Sequence, residues 1–325
     1  MTGTRHPQGK AMEIRKLQEA LEVLVFVGQA HRENIFFELA RQGDTAEGLA
    51  KRLGFRIRPV WVLLEALVEM KYLVKKKDIY LVPESVRVRL VDSSSAGYEG
   101  DFWQFLLYLI DPWKTLPHVL KKGKPDKKSY RNLSLEHFIR GMDSPWKKKL
   151  APEIVDICLK HVPGARAAAD IGGAPGTMAR EFASRGLKTI VFDLPQCLAV
   201  TKKELSKIKN IRVVEGDATE SLPRGPYDIA FLGNLCHGQS PENNAKIISM
   251  CYGRLAKGGI IVIFDNFRGE SPVAARLALH MITQSEQGDI YTGEQYIEWL
   301  DKAGFRDIAG EKLTEPAWSL LIARK

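Results

Sequence analysis

The sequence is poor in cysteine and in long apolar runs. Its four cysteines, Cys158, Cys197, Cys236 and Cys251, include no CxxC pair and no Cys/His cluster at metal-ligand spacing. That excludes a disulfide framework and a zinc site, so no metal is expected and the thiols read as reduced. The longest apolar runs, such as residues 105–110 and 260–264, fall far short of the ~20 residues that cross a bilayer, so no membrane partner is expected. Residues 1–10 are polar, with neither an apolar segment nor a small-residue cleavage pattern, which makes cytoplasm the expected location. No internal repeat or low-complexity tract is present.

What is there has the balance of a globular chain: 325 residues, 45% hydrophobic and 27% charged. Cores usually split beyond ~250–300 residues, so more than one domain is expected. The net charge of +9 is unevenly spread. Residues 1–160 hold 28 Lys and Arg against 20 Asp and Glu, whereas residues 161–325 hold 20 against 19. A basic N-terminal half suits either an anionic partner, nucleic acid included, or a solvated lysine-rich surface.

Residues 12–90 carry helical periodicity at Ile14, Leu17, Ala20, Leu21 and Leu24, then at 35–40, 45–53 and 59–70. Two short strands, 72–74 and 79–82, follow around a polar turn. Helix, turn, helix and a two-stranded wing describe a winged helix. In a DNA reader the second helix would show polar side chains to the major groove. Here it begins with Arg56 and Arg58 but continues Val60, Trp61, Val62, Leu63, Leu64, Ala66, Leu67, Val68, a face suited to packing or dimerisation. Residues 96–165 read as a helical connector, with patterns at 102–110 and 113–120, an exposed lysine-rich loop at 121–128, and one helix from about Leu135 past Trp146 to 159.

From residue 166 onward, short apolar runs at 167–171, 189–192, 211–214, 229–232 and 260–264 alternate with helical patterns. This is the grammar of an α/β fold, a Rossmann-like doubly wound parallel sheet that binds ligands at the carboxyl ends of its strands. The expected division is 1–95, 96–165 and 166–325. The first strand ends in Asp170-Ile171-Gly172-Gly173-Ala174-Pro175-Gly176-Thr177, a turn that keeps side chains out of the way of a ligand and opens a helix N-terminus. Ala174 breaks the GxGxxG order of pyrophosphate-binding turns. Asp193, in Phe192-Asp193-Leu194-Pro195, ends the second strand, where an acid can accept ribose hydroxyls. Glu215-Gly216-Asp217-Ala218 ends the third, where a carboxylate can meet the adenine amino group. Any one of these acids could instead cap a helix; together they describe a nucleoside site.

These motifs resemble the class I S-adenosylmethionine-dependent methyltransferases, and more narrowly the small-molecule O-methyltransferases of plant caffeate and flavonoid type and of bacterial phenazine, carotenoid and polyketide type. Further marks of the resemblance are Leu235-Cys236-His237, Gly258-Gly259 before a strand, Tyr291-Thr292 before a helix ending in Ala303-Gly304-Phe305, and a closing hairpin at 305–313 and 318–323. The resemblance covers nearly the whole chain. It implies a mainly α, winged-helix N-terminal domain that forms a homodimer, a connector acting as substrate lid, and a catalytic domain that binds S-adenosylmethionine and releases S-adenosylhomocysteine. The donor would be held by Asp170, Gly172, Gly173, Gly176, Asp193, Leu194, Asp217, Ala218 and Asn234. His237 would be the general base for a hydroxyl of a small aromatic or heteroaromatic acceptor, and Met142, Met281 and Trp103 would contact that acceptor. A phenol with a pKa of about 10 is a poor nucleophile until a base such as imidazole, about 6.5, takes its proton.

The chain departs from the family in two places. Gly238-Gln239-Ser240-Pro241-Glu242 replaces an acidic, Trp-containing run after the base. Of two family glutamates that orient the base, one is Asp265 here, shorter by a methylene, and the other position holds Ile290. What orients His237 is therefore open, as are transfer to carbon or nitrogen and a repurposed cofactor site. The alternative of another class is a winged-helix DNA-binding regulator sensing an adenosyl ligand; the apolar second helix argues against nucleic acid as a partner.

Overall fold

In the computed structural model, which describes residues 13–126, 134–315 and 317–325, the chain divides into two units, one ending at Leu107 and one beginning at Tyr108. The polar stretch 1–10 lies outside the described residues, as do residues 127 and 128. Among the described residues no helix is long and apolar enough to cross a membrane.

The first unit holds α1 (Ile14–Arg32), α2 (Ile35–Arg41), α3 (Ala46–Leu53), α4 (Ile57–Glu69), β1 (Val74–Lys76), β2 (Ile79–Leu81), α5 (Glu84–Leu90) and the start of α6 (Gly100–Lys114). Thr45 caps α3 by accepting from the Gly48 amide at 3.1 Å, and Gly54 ends it at φ +72°, a backbone conformation that glycine adopts without strain. β1 and β2 pair antiparallel. Leu64 and Leu67 of α4 are fully buried beside Phe36, Leu39, Leu49 and Tyr80. The rest of the α4 apolar run is divided: Ile57, Trp61 and Val62 are exposed, as are Ile14, Leu17, Leu21 and Phe26 on α1.

The second unit continues through α7 (Leu116–Lys122), α8 (Leu135–Gly141), α9 (Pro145–His161), β3 (Ala167–Ile171), α10 (Thr177–Ser184), β4 (Lys188–Asp193), α11 (Pro195–Leu205), β5 (Ile211–Glu215), β6 (Tyr227–Gly233), α12 (Pro241–Arg254), β7 (Leu255–Asp265), α13 (Ala274–Gln284), α14 (Gly293–Ala303), β8 (Arg306–Lys312) and β9 (Ser319–Arg324). The sheet order is β5-β4-β3-β6-β7-β9-β8. The first five strands in that order run parallel, and β9 is antiparallel to both β7 and β8. Strand order reverses at β3, between β4 and β6, so a crevice opens at the carboxyl ends of β3 and β6.

Strand β7 explains the two-sided core. Ile261 and Ile263 join one buried cluster with Ile247, Tyr296 and Trp299, while Ile260, Val262 and Phe264 join another with Ile154, Phe182 and Phe231. Side chains alternate along a strand, so a strand covered on both faces must be apolar at every position.

The region read as a connector differs in three respects. It is shared between the units, with the boundary inside α6. The stretch 121–128 is not loop throughout, because α7 runs to Lys122 and is closed by Gly123 at φ +68°. The single helix expected from Leu135 is two: the chain breaks between Met142 and Ser144, where Ser144 is extended at ψ 151°. Pro145 forces this break, since the residue before a proline is pushed out of the helical region while proline itself fits the first helical position.

Candidate active site

The crevice is built from the strand tips. Gly172 and Gly173 donate their amides to the Phe192 carbonyl at 2.8 and 3.2 Å, which joins the ends of β3 and β4. Gly172 sits at φ +70°. At Gly173 a Cβ would come 2.6 Å from Asp170 Cγ, so the turn closes over the Asp170 carboxyl only with glycine there. Asp170 is buried and accepts from the Ala179 amide at 3.1 Å, which anchors α10 to the strand. Burial pushes its carboxyl up to about 8, with the nearby Asp193 charge acting in the same direction. Gly176 caps α10 in the left-handed region.

Asp193 accepts from the Ala174 amide at 3.0 Å and from the Leu194 amide at 2.7 Å, and the Cys197 thiol also bonds to it. A carboxylate offers about four acceptor directions, so capacity remains for a ligand hydroxyl. Burial raises this carboxyl. The Gly216 amide donates to the Asp193 carbonyl at 3.0 Å and joins the β5 tip to the β4 tip. Just beyond, Asp217 accepts from the Thr219 amide and hydroxyl at 2.8 and 2.7 Å, and Ala218 packs at the edge of the core.

Asn234 follows β6 at φ +57°, and its amide donates to the Phe264 carbonyl at 2.9 Å. Its side-chain Oδ1 is buried and has no hydrogen-bond partner among the described residues. Lys147, Asp170, Gly172, Gly173, Thr177 and Asn234 line one cleft.

Three residues beyond Asn234, a short 3₁₀ turn at Cys236–Gly238 presents His237. The Asn244 side chain donates to the Cys236 carbonyl at 3.0 Å, and the Tyr291 hydroxyl to the Gln239 carbonyl at 2.5 Å, so the turn is held from both sides. His237 Nδ1 lies 2.8 Å from Asp265 Oδ1. Asp265 is fully buried at the end of β7; it also accepts from the Asn266 amide at 2.8 Å and from the Tyr296 hydroxyl at 3.4 Å. With Nδ1 donating to a carboxylate, the basic lone pair of the ring is on Nε2. Ile290 is buried and apolar. One shorter carboxylate, backed by Tyr296, orients the ring here.

The structure thus brings Asp170, Gly172, Gly173 and Asn234 to one cleft, ties Asp193 to it through Ala174, sets Asp217 and Ala218 at the next strand tip, and pairs His237 with Asp265. Met142 is half-buried at the end of α8, beside the break before α9. Met281 is half-buried on α13, where the neighbouring His280 ring meets Trp113 at 4.9 Å. Trp103 belongs to the first unit, edge-on to Tyr72 at 6.0 Å. Sequence reasoning missed Tyr296 and Lys147. The first had a faint signal in its place one turn after Tyr291-Thr292; the second was hidden in a run of three lysines that reads as a solvated face.

A family model described as an O-methyltransferase domain matches residues 129–306. The chain is 24% identical over 298 residues to the tetracenomycin polyketide synthesis 8-O-methyl transferase TcmO of Streptomyces glaucescens, covering 85% of this chain and 86% of that protein. It is 25% identical over 313 residues to the S-adenosyl-L-methionine-dependent methyl transferase PigF of Serratia sp., covering 90% and 89%. The solved structure of PigF with SAH superposes with a TM-score of 0.79 at 21% identity over 97% of this chain and 100% of that one. Human N-acetylserotonin methyltransferase in complex with SAM superposes with a TM-score of 0.78 at 20% identity over 98% and 99%.

Proposed function

The chain belongs to the O-methyltransferase domain family, and on that premise we propose that it moves the methyl group of S-adenosylmethionine onto a hydroxyl of a small aromatic or heteroaromatic acceptor, with His237 as general base. The observation that carries this reading is the His237–Asp265 pair, 2.8 Å apart, set three residues from the cleft at Asn234. When bound, the donor supplies an electrophilic methyl on a sulfonium sulfur. The cleft fits such a ligand: the Gly172-Gly173 backbone is bare of side chains, and Asn234 Oδ1 is a buried acceptor with no donor among the described residues.

The chain's own part is to bind, orient and take a proton. His237 Nε2 accepts the acceptor's hydroxyl proton, and Asp265 holds the ring by Nδ1 and stabilises the imidazolium that forms. Base assistance of this kind is worth roughly 10²–10⁴-fold, and alignment of the two reactants can contribute more. Met142 and Met281 are proposed to flank the acceptor ring, a use suited to thioethers.

The test is His237→Ala, assayed by S-adenosylhomocysteine release over a panel of hydroxylated aromatic compounds and, beside it, by calorimetric titration with S-adenosylhomocysteine. Turnover should fall about 10²–10⁴-fold while product binding persists. Parent-level turnover in the variant would remove the base assignment.

We also propose that the first unit pairs with a second copy of the chain. Ile14, Leu17 and Leu21 recur at helical spacing on α1 and are exposed, together with Trp61 and Val62 on α4. Exposed apolar stripes of this kind mark interaction surfaces. The four cysteines are free thiols, which suits a reducing compartment, the cytoplasm.

A further inference from the structure

The crevice described above lies at the carboxyl ends of the parallel strands. At their amino ends, beside β3, β4, β5 and β6, a second cavity of about 390 Å³ opens, within the ~300–1,000 Å³ range of small-molecule sites. Its lining includes Ala167, Ile190 and Tyr227 on the inside and Lys188, Arg212 and Arg224 at the exposed rim. Parallel pairing sets Ala167 beside Lys188 and Ile190 beside Arg212. Residues two apart on a strand share a face, so these four stand on one face of the sheet. On that face Ile247 and Ile248 of α12 pack in one cluster with Tyr227, and Ala167 and Ile190 lie at its margin. Alanine at the start of β3 leaves open the room that a longer side chain would fill.

The turn that carries Arg224 is fixed from two sides. A Cβ at Gly225 would collide with the Arg254 carbonyl, and the Tyr227 hydroxyl donates to the Pro223 carbonyl at 3.1 Å. Among the described residues no carboxylate lines the cavity. Asp228, next to Tyr227, is turned to the backbone of β3, where it accepts from the Arg166 and Ala167 amides at 2.7 and 3.0 Å. Arg185, just before β4, is held by Asp156 and Glu181. Lys188, Arg212 and Arg224 have no ion pair of this kind among the described residues. Like charges gathered around an opening repel one another, and an anion bound between them relieves that repulsion.

We propose that this cavity is a second binding site, for a small phosphate ester whose phosphoryl group is held by Lys188, Arg212 and Arg224 and whose apolar body rests on Ala167, Ile190 and Tyr227. Guanidinium forks match phosphate oxygens in pairs, and the lysine adds a point charge. A phosphate monoester carries about −1.5 to −2 charges at neutral pH, which suits a rim of several cations better than the single charge of a carboxylate does. The site is separate from the donor crevice. β3 runs from Ala167 at the cavity to Ile171 at the crevice, and β4 from Lys188 to Asp193, so the strands hold the two roughly 13–17 Å apart and both can be filled at once.

The test is calorimetric titration of the parent protein with phenyl phosphate at low ionic strength, alone and with saturating S-adenosylhomocysteine, beside inorganic phosphate and benzoate. Phenyl phosphate should bind at least about 10-fold tighter than either control, with an affinity that falls as salt rises and that S-adenosylhomocysteine leaves unchanged. Lys188→Ala and Arg212→Ala together should weaken it roughly 10- to 100-fold, and Arg224→Ala several-fold, while Lys246→Ala, the same change of charge at an exposed position of α12, leaves it within about twofold. All three proteins should melt with the parent, since the substituted side chains are exposed. A parent protein that does not bind phenyl phosphate, binding that S-adenosylhomocysteine displaces, or losses no larger than that of Lys246→Ala would overturn the site. Inorganic phosphate or benzoate binding as tightly as phenyl phosphate would overturn the ligand class.

Discussion

The hydroxyl of Tyr296 reaches Asp265 Oδ2 at 3.4 Å while His237 Nδ1 holds Oδ1 of the same carboxylate at 2.8 Å. A phenol, a buried acid and an imidazole therefore form one chain, running from α14 through the end of β7 to the turn after β6. Tyr296 is fully buried, and its phenol is pushed well above its ordinary range by burial. It stays a donor throughout the working pH range.

From this chain it follows that Asp265→Asn should lower kcat about 100-fold, because the imidazolium loses its anionic neighbour. Tyr296→Phe should lower kcat by roughly 3- to 10-fold, the worth of one ordinary hydrogen bond. In both variants S-adenosylhomocysteine affinity should stay within about twofold, and Asp265→Glu should recover part of the loss. A fall in product affinity that matches the fall in kcat would mean that the pair is structural.

Asp170 yields a prediction about stability and pH. Its folded-state carboxyl is raised, to about 8, above its unfolded value of about 3.9. Between these values the unfolded chain has released a proton that the folded chain keeps, so this group's contribution to stability declines as pH rises from about 4 to about 8 and is flat beyond. Asp170→Asn keeps an oxygen for the Ala179 amide and removes the titration. In urea unfolding at pH 5 and pH 8 the variant should lose less stability over the interval than the parent. Parallel losses would show that the Asp170 carboxyl is already ionised in the folded protein at neutral pH.

On α1, Leu17 and Leu21 are each 49% exposed. If a second copy covers them, the double substitution Leu17→Lys, Leu21→Lys should convert a dimer to a monomer in sedimentation equilibrium without lowering the far-ultraviolet helical signal. A parent protein that sediments as a monomer at micromolar concentration would remove the proposal.

Much of the fold was legible in the linear sequence because the relevant signals are local. Apolar runs bounded by Gly, Pro and Asp placed β3 to β7. Their alternation with amphipathic stretches required a parallel, two-sided sheet, and a parallel sheet puts ligands at the strand tips. Asp170, Asp193, Asp217 and His237 could be named in advance for that reason, since each stands within four residues of a strand end. Local grammar was weaker between residues 115 and 160. The break at Ser144 depended on Pro145, and the lysine-rich stretch after Leu120 gave no sign that α7 would run on to Lys122.

What the sequence determined by itself was which side chains stand at which strand tip, a matter of period and turn chemistry. Only the tertiary structure decided which of them act on one another. Asp265 and His237 are 28 positions apart, and Tyr296 is 31 from Asp265; no spacing rule connects them, because their meeting depends on how β6, β7 and α14 pack. Lys147 makes the same point. Three consecutive lysines are chemically alike in a sequence, and the rotation of a helix, fixed by the packing of its apolar face, selected the one that enters the cleft.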